Sequence, residues 1–486
     1  MPIAAPAVSE THSAIVVFLG DHAYKVKKHV DLGFLDFRTR EAREAVCHRE
    51  VELNRRLAPD VYEGVADVLG PDGQPCEHLV VMRRMPEDRR LSSLVQAHVN
   101  VDGELVDVAR QIATLHERSP RLGDADAAAG SDATRGRWAA NTDALIEMGG
   151  RLFDDTVVGL VHGLACRYLD GRQRLLEHRV GNGRAVDGHG DLLADDIFCL
   201  ADGARILDCI EFDDRLRLGD GLADAAFLAM DLERLGRPDL ARYFLAAYGE
   251  HRGDVWPASL AHHHVAYRAQ VRAKVTALRS AQGDPEAAAQ AVGLLHLALS
   301  HLQRGRARLV LVGGLPGTGK STLADQLSDR LGFAVLRSDE IRKELGGLRS
   351  DEHPAAGFGE GLYDGETTSR TYARLIERAR AALSMGEHVI LDASWTDPAW
   401  REAARQLAHE TYSDLVQLRC SAPAEIAAAR IAARAALGSG PSDATPPIAA
   451  AMAEAAVGWP DATVIDMSGT VSDGVEAALQ HGHLSA

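Results

Sequence analysis

The sequence predicts a two-part chain. An α+β N-terminal half has a small strand-rich lobe followed by a larger helical one, and the C-terminal half is a parallel α/β sheet. Three observations carry this. The apolar run Arg308 to Gly313 passes through a glycine-rich turn into Ser321 to Leu331, whose apolar spacing is helical. Strand and helix patterns then alternate to the C-terminus. Before Arg308, strand patterns are concentrated in roughly the first 85 residues, and helical ones dominate from there to the connecting helix.

In order along the chain, Ala14 to Leu19, the turn Gly20-Asp21-His22 and Ala23 to Lys28 read as a hairpin. Arg40 to Leu57 is helical and Pro59 stops it. His78 to Met82 is a strand, with Arg83 to Pro86 connecting to the helical lobe. Residues 123–136, small and acidic, read as a loose loop. Arg205 to Asp208 is a short strand, Ala258 to Arg279 a helix, and Pro285 to Leu302 an Ala/Leu-rich helix running nearly to the strand at 308. The domains expected are therefore 1–304 (small lobe about 10–85, helical lobe about 86–284, connecting helix 285–304) and 305–486. In the second half, strands at 334–337, 388–391, 415–418 and 463–465 alternate with helices at 367–383, 400–410 and 423–437. A parallel sheet of this kind binds its ligand at the carboxyl ends of its strands.

Composition narrows the function. A chain of 486 residues with net charge −17 is acidic throughout, with 17 Lys/Arg against 24 Asp/Glu in residues 306–486 and 36 against 46 before them. This argues against nucleic acid or an anionic membrane as the main partner. Six scattered cysteines without a C-x-x-C pair, no secretory leader pattern and no run of 18 apolar residues point to a soluble cytoplasmic protein. Of 53 basic residues only six are lysine, and three of these (Lys25, Lys27, Lys28) lie in one strand while Lys320 follows the glycine turn. A compact ammonium suits phosphate contact.

Gly314-Leu315-Pro316-Gly317-Thr318-Gly319-Lys320-Ser321 fits G-x-x-x-x-G-K-[ST]. Its glycines let backbone N–H groups approach phosphate oxygens at a helix N-terminus. Thr318 within the turn and Thr322 just after it are further nucleotide-binding candidates, Lys320 can reach the terminal phosphates of ATP, and the Ser321 hydroxyl can hold Mg²⁺. Asp339, at the end of the second strand, can accept the proton of an attacking hydroxyl, and Arg342, one turn on, can hold the acceptor or the developing charge. Asp392 closes an apolar strand and can bind Mg²⁺. Arg430 and Arg434 share a helical face before the Gly/Ser segment 438–443, as in an arginine-bearing lid. These residues resemble the small P-loop kinases that include polynucleotide kinase, chloramphenicol phosphotransferase and the zeta toxins. That resemblance implies phosphoryl transfer from ATP with Asp339 as base. No N-K-x-D guanine signature occurs.

In the first half, His189-Gly190-Asp191 and Asp196, followed by Asp208 and Glu211, resemble the H-G-D-x-x-x-x-N catalytic loop and later metal acid of the aminoglycoside phosphotransferases. The resemblance implies a bilobal protein-kinase-like fold, Asp191 as base, and Asp196 with Asp208 or Glu211 as metal ligands. Aspartate replaces the family's asparagine at 196. Lys27 resembles the ATP-binding lysine and Glu50 its ion-pair partner, with Lys25 a rival on the same strand face. Glu10-Thr11-His12-Ser13 stands where a glycine-rich loop is expected. His262-His263-His264 fan out around a helix and cannot share one metal ion. Arg268 and Arg272 on that helix suit either an anionic ligand or ordinary salt bridges, with Lys274 offset. The whole chain resembles bacterial fusions of an aminoglycoside-phosphotransferase-like domain with a P-loop kinase domain. That implies a bifunctional kinase with two Mg-ATP sites acting on small-molecule hydroxyls such as sugars, amino sugars or antibiotics. The alternatives are a P-loop kinase regulated by a ligand-sensing pseudokinase, or an ATP-driven toxin-like regulator.

Overall fold

The N-terminal hairpin lies within a five-stranded antiparallel sheet. A computed structural model describes residues 7–10, 13–31, 35–120, 123–148, 152–281, 283–349, 364–437 and 446–484. The sheet contains β1 (Ala7–Glu10), β2 (Ala14–Leu19), β3 (His22–Lys27), β4 (Tyr62–Leu69) and β5 (Pro75–Arg83) in the order β1-β2-β3-β5-β4. Between β3 and β4, α1 (Arg40–Asn54) starts at Thr39, whose Oγ1 accepts from the Ala42 N–H. It buries Cys47 and Val51 in a core shared with Ala23, Val80 and Met82. This packing aims Glu50, fully buried, at the face of β3 that carries Lys25 and Lys27.

The helical part contains α2 (Leu91–Gln96), α3 (Asp102–Arg118), α4 (Gly123–Ala129), α5 (Ser131–Met148), α6 (Asp155–Gly171) and α7 (Gln173–Gly181). Two short ladders come next, β6 (Ala185–Asp187) with β9 (Leu218–Asp220), and β7 (Ile197–Leu200) with β8 (Gly203–Ile206). They frame the loop carrying His189 to Asp196. After them come α8 (Gly221–Arg234), α9 (Pro238–Arg252), α10 (Ala258–Ala281) and α11 (Ala287–Arg304). The loose loop expected at 123–136 is instead helical: α4 and α5 bury Ala125, Ala129 and Trp138. Alanine, the strongest helix former, outweighs the small acidic composition that suggests a loop.

The other unit is a parallel sheet in the order β11-β12-β10-β13-β14. Its elements are β10 (Arg308–Gly313), α12 (Lys320–Leu331), β11 (Ala334–Arg337), α13 (Ser338–Leu345), α14 (Gly365–Ser384), β12 (Val389–Asp392), α15 (Pro398–Glu410), β13 (Asp414–Ser421), α16 (Ala424–Leu437), α17 (Pro446–Ala455), β14 (Thr463–Asp466) and α18 (Val471–His481). All six residues of β10 are buried, and alternate side chains enter cores on opposite faces, Leu309 and Leu311 on one and Val310 and Val312 on the other.

The fold class is thus an α+β N-terminal arrangement and a C-terminal parallel α/β sheet whose first strand leads through the glycine turn into a helix. Internal contacts divide the chain into Met1–Gly163, Leu176–Trp256 and Ala261–Leu302 as one unit, and Leu164–Leu175, Pro257–Leu260 and Gln303–Ala486 as the other. Among the described residues, no helix is long and apolar enough to cross a membrane.

Candidate functional site

In the second unit the turn after β10 has left-handed glycines at Gly314 (φ 140°), Gly317 (φ 82°) and Gly319 (φ 92°). The Thr318 hydroxyl donates to the Leu315 carbonyl at 2.8 Å, closing the loop ahead of α12. Lys320 and Ser321 open that helix, and Thr322 next to them is exposed. Parallel pairing of Val312 with Asp392 brings the end of β12 beside the loop. Asp392 is 3% exposed, and its Oδ1 has no hydrogen-bond partner among the described residues. Burial raises its carboxyl above the usual range, against the pull of Lys320 and a hydrogen bond from Ser321. An orphaned oxygen on an acid beside a serine hydroxyl and an ammonium fits a Mg-nucleotide.

Asp339 lies in the first turn of α13, close enough to raise the proton affinity of Asp392. Arg342 is buried and donates to Thr368 Oγ1 of α14 at 3.2 Å. One turn along α14, the Tyr372 hydroxyl meets Ser394 Oγ at 3.1 Å and accepts from the Trp395 N–H at 3.2 Å, while its ring stacks on Trp400. Sequence reasoning singled out neither Thr368 nor Tyr372, which lie within a helical pattern without a motif. Arg430 donates to the Met467 carbonyl at 2.8 Å. The side chain of Arg434 and the segment 438–443 fall outside the described residues.

In the first unit two lysines and three acids interlock. Lys25 Nζ is 2.9 Å from Glu50 Oε1 and 2.5 Å from Asp208 Oδ1; Lys27 Nζ is 2.6 Å from Glu50 Oε2 and 2.5 Å from Glu211 Oε1. The Lys27–Glu50 pair is formed, and so is the rival Lys25–Glu50 pair. Their surroundings differ: the side chain of Lys27 is 1% exposed, that of Lys25 12%, and Asp208 beside Lys25 is 49% exposed. Asp208 and Glu211, the two candidate metal acids, thus each hold a lysine. For Asp208, burial opposes ionisation but Lys25 outweighs it and brings the carboxyl down to about 2. For Glu211, burial wins and raises it. Asp208 also adopts a left-handed backbone (φ 65°), and its N–H donates to the Tyr62 hydroxyl at 3.2 Å.

The loop with Asp191 is fixed from beneath. Asp224, in α8, accepts from the backbone N–H groups of His189 and Gly190, both at 2.8 Å, and from His116 Nε2 at 2.9 Å. His116 in turn contacts the Tyr248 hydroxyl at 2.9 Å. The His189 imidazole, fully buried and held neutral by that burial, donates Nε2–H to the Leu207 carbonyl at 3.0 Å, tying the loop to the strand end before Asp208. Of this network only His189 was singled out above, as part of His189-Gly190-Asp191; His116 had no sequence signal. Asp191 is raised by burial against the pull of Arg272, and Asp196 is raised well above the usual range by burial and by Asp208 and Asp191. Among the described residues, no three His, Cys, Asp or Glu side chains are gathered closely enough to hold a metal ion by themselves. Asp196 and Asp208 fit a cation shared with nucleotide phosphates. Each residue of the histidine triplet goes its own way: His262 to His301, His263 to Trp138, and His264 toward Asp220 at 3.9 Å.

A family model described as AAA domain matches residues 309–456. The uncharacterized protein Rv2004c of Mycobacterium tuberculosis is 44% identical over 462 residues, covering 95% of this chain and 92% of that one. Among solved structures, the chain is similar to the GDP and kanamycin complex of APH(2")-IIia (TM-score 0.40, 16% identity, 62% of this chain and 94% of that). It is also similar to a gluconokinase from Sinorhizobium meliloti 1021 (TM-score 0.27, 18% identity, 36% and 90%).

Proposed function

We propose that this chain, which belongs to the same family as mycobacterial Rv2004c, is a bifunctional phosphotransferase with two separate Mg-ATP sites, each acting on a small-molecule hydroxyl. The observation that carries the reading is the buried, unpartnered Asp392 oxygen beside Ser321 at the phosphate cradle. Leaving such a group unmade costs about 1–3 kcal/mol, which a protein retains where a ligand completes it. Lys320 and the loop N–H groups hold the phosphates, Asp339 takes the acceptor's proton, and Arg342, fixed by Thr368, faces the acceptor. Ser321 and Asp392 would hold magnesium, which supplies charge neutralisation on the phosphates when bound.

In the first unit Asp191 is the base, and Asp196 and Asp208 would hold the metal together with the nucleotide phosphates. Lys25, more open than Lys27 and already at Asp208, is the better placed lysine for phosphate; Lys27 and Glu211 form the pair behind it. A second reading, a ligand-sensing pseudokinase, draws support from those same pairs, because Lys25 and Lys27 already neutralise both candidate metal acids. The six free thiols suit a reducing cytoplasm. Nucleotide-binding stoichiometry on the full chain tests the proposal. Two Mg-ATP per chain, falling to one in Lys320→Ala, is the expected result; one per chain falling to none overturns the two-site reading.

A further inference from the structure

Asp191 feels charge of both signs. Asp208 is close enough to raise its proton affinity, while α10 brings Arg272 to it, with Nη1 3.4 and 3.5 Å from the two carboxylate oxygens. A tight guanidinium–carboxylate pair closes to about 2.7–2.9 Å. This one is loose, and both partners stay reachable, at 20% and 31% side-chain exposure. One turn earlier Arg268 lies over the Phe227 ring at 4.4 Å and donates Nε–H to the Ala223 carbonyl. Arg137, close enough to lower the proton affinity of Arg268, donates to the Ala128 carbonyl. Lys274 donates to Asn141 Oδ1 at 2.6 Å. Among the described residues, neither Arg268, Arg137 nor Lys274 has a carboxylate within ion-pair distance, and Asp224, the other acid near Arg268, is already occupied by His116 and two backbone N–H groups. His264 beside this group is neutral, held down at about 4 first by burial. In a chain of net charge −17, Arg272 and Arg268 both pull on Asp191 and Arg137 stands near Arg268, so three guanidiniums are gathered about the base.

We infer that the acceptor of the first unit carries an anionic group, a carboxylate or a phosphate, beside its reacting hydroxyl, and that Arg272, backed by Arg268, selects it. The inference rests on the reading of Asp191 as base. An anion that takes Arg272 also removes the cation that holds the proton affinity of Asp191 down, so the base strengthens as the correct acceptor arrives. The hydroxyl then gives its proton to Asp191 as its oxygen bonds to the γ-phosphorus. The bond from that phosphorus to the bridging oxygen breaks, and ADP leaves with its electron pair. The product is a phosphate monoester on an already anionic molecule. Amine-rich acceptors are repelled by the same cations.

The test uses the full chain carrying Lys320→Ala, so that transfer by the second unit is silenced. Transfer from labelled ATP is measured to acceptors graded by charge: glucosamine and choline, glucose and glycerol, gluconate, glucose 6-phosphate and glycerol 3-phosphate. Label is expected in anionic members. Arg272→Ala should raise KM for these at least 10-fold with a smaller change in kcat, Arg272→Lys should restore part of the loss, and any slow neutral acceptor should be unaffected. Preference for neutral or amine acceptors, or an equal effect of Arg272→Ala on all of them, overturns the inference while leaving the kinase reading standing. No transfer to any acceptor, with Asp191→Asn indistinguishable from its parent, removes both.

Discussion

Replacing Gly317 by alanine sets a β-carbon 2.4 Å from the Ala427 carbonyl oxygen and 2.9 Å from its carbonyl carbon, both backbone atoms of α16. Ordinary contact begins near 3.4 Å, so the loop and the helix must part by about 1 Å. No flexible side chain can absorb this. A φ of 82° adds the left-handed penalty of a residue with a β-carbon, about 1–2 kcal/mol. A displacement of about 1 Å in groups that position a substrate costs on the order of 100-fold in rate, or about 2.7 kcal/mol. Gly332, at the end of α12, supplies the control: its φ is 70° but nothing lies within 4 Å of an added β-carbon. The assay is ATP turnover in an Asp191→Asn background, together with thermal unfolding. Gly317→Ala is expected to lower kcat/KM about 100-fold, whereas Gly332→Ala loses only a few degrees of Tm and keeps its turnover. Wild-type kcat/KM in Gly317→Ala, or an equal loss in Gly332→Ala, would refute the claim that this loop, packed against α16, is the phosphate cradle.

Asp339→Asn should leave ATP affinity nearly unchanged while acceptor phosphorylation by the second unit falls about 100-fold or more; a collapse of ATP affinity in a binding titration would instead make Asp339 a metal ligand. In the first unit, Asp191 must be ionised to act, and burial raises its carboxyl, so the acid limb of kcat/KM should lie above the usual carboxylate range. Arg272→Ala removes a cation that favours the ionised form and should move that limb to higher pH; a shift to lower pH contradicts the assignment. Asp220 is opposed by burial but held at about 2 by its buried pair with Arg179. A depressed carboxyl stabilises the fold above its unfolded value of about 3.9, and that contribution is lost as pH falls through about 2. Asp220→Asn should therefore cost up to about 3 kcal/mol at pH 7, since Asp254 remains with Arg179, and less at pH 3. Urea unfolding at the two pH values checks this, and an undiminished difference at pH 3 counts against it.

The second unit was legible because its chemistry is written locally. A strand, a glycine turn and a helix are consecutive in sequence, and the acids follow strand ends that a parallel sheet brings to one edge. Tyr372 and Thr368 were not, because nothing in an amphipathic helix says which turn of its buried face meets Ser394 or Arg342. In the first unit, period-two alternation put Lys25 and Lys27 on one face and the resemblance named Glu50 as a partner, but neither said which lysine meets Asp208 and which Glu211. The structure divides Asp208 and Glu211 between them, a pairing set by elements more than 180 residues apart. Likewise Arg272 had a face but no target until α10 packed beside the loop with Asp191. The helical structure at 123–136 was missed because composition was weighed over alanine's helix propensity, and β1 and β4 because short or glycine-interrupted strands have little periodicity to read.

Transfer of the γ-phosphoryl group by the full chain, compared among wild type, Lys320→Ala, Asp191→Asn and the double variant, tests the central claim most directly. With acceptors for both units present, each single variant is expected to remove one labelled product and keep the other, and the double variant to remove both. Loss of every product in Lys320→Ala, with Asp191→Asn unchanged from wild type, would contradict it and leave a single P-loop kinase.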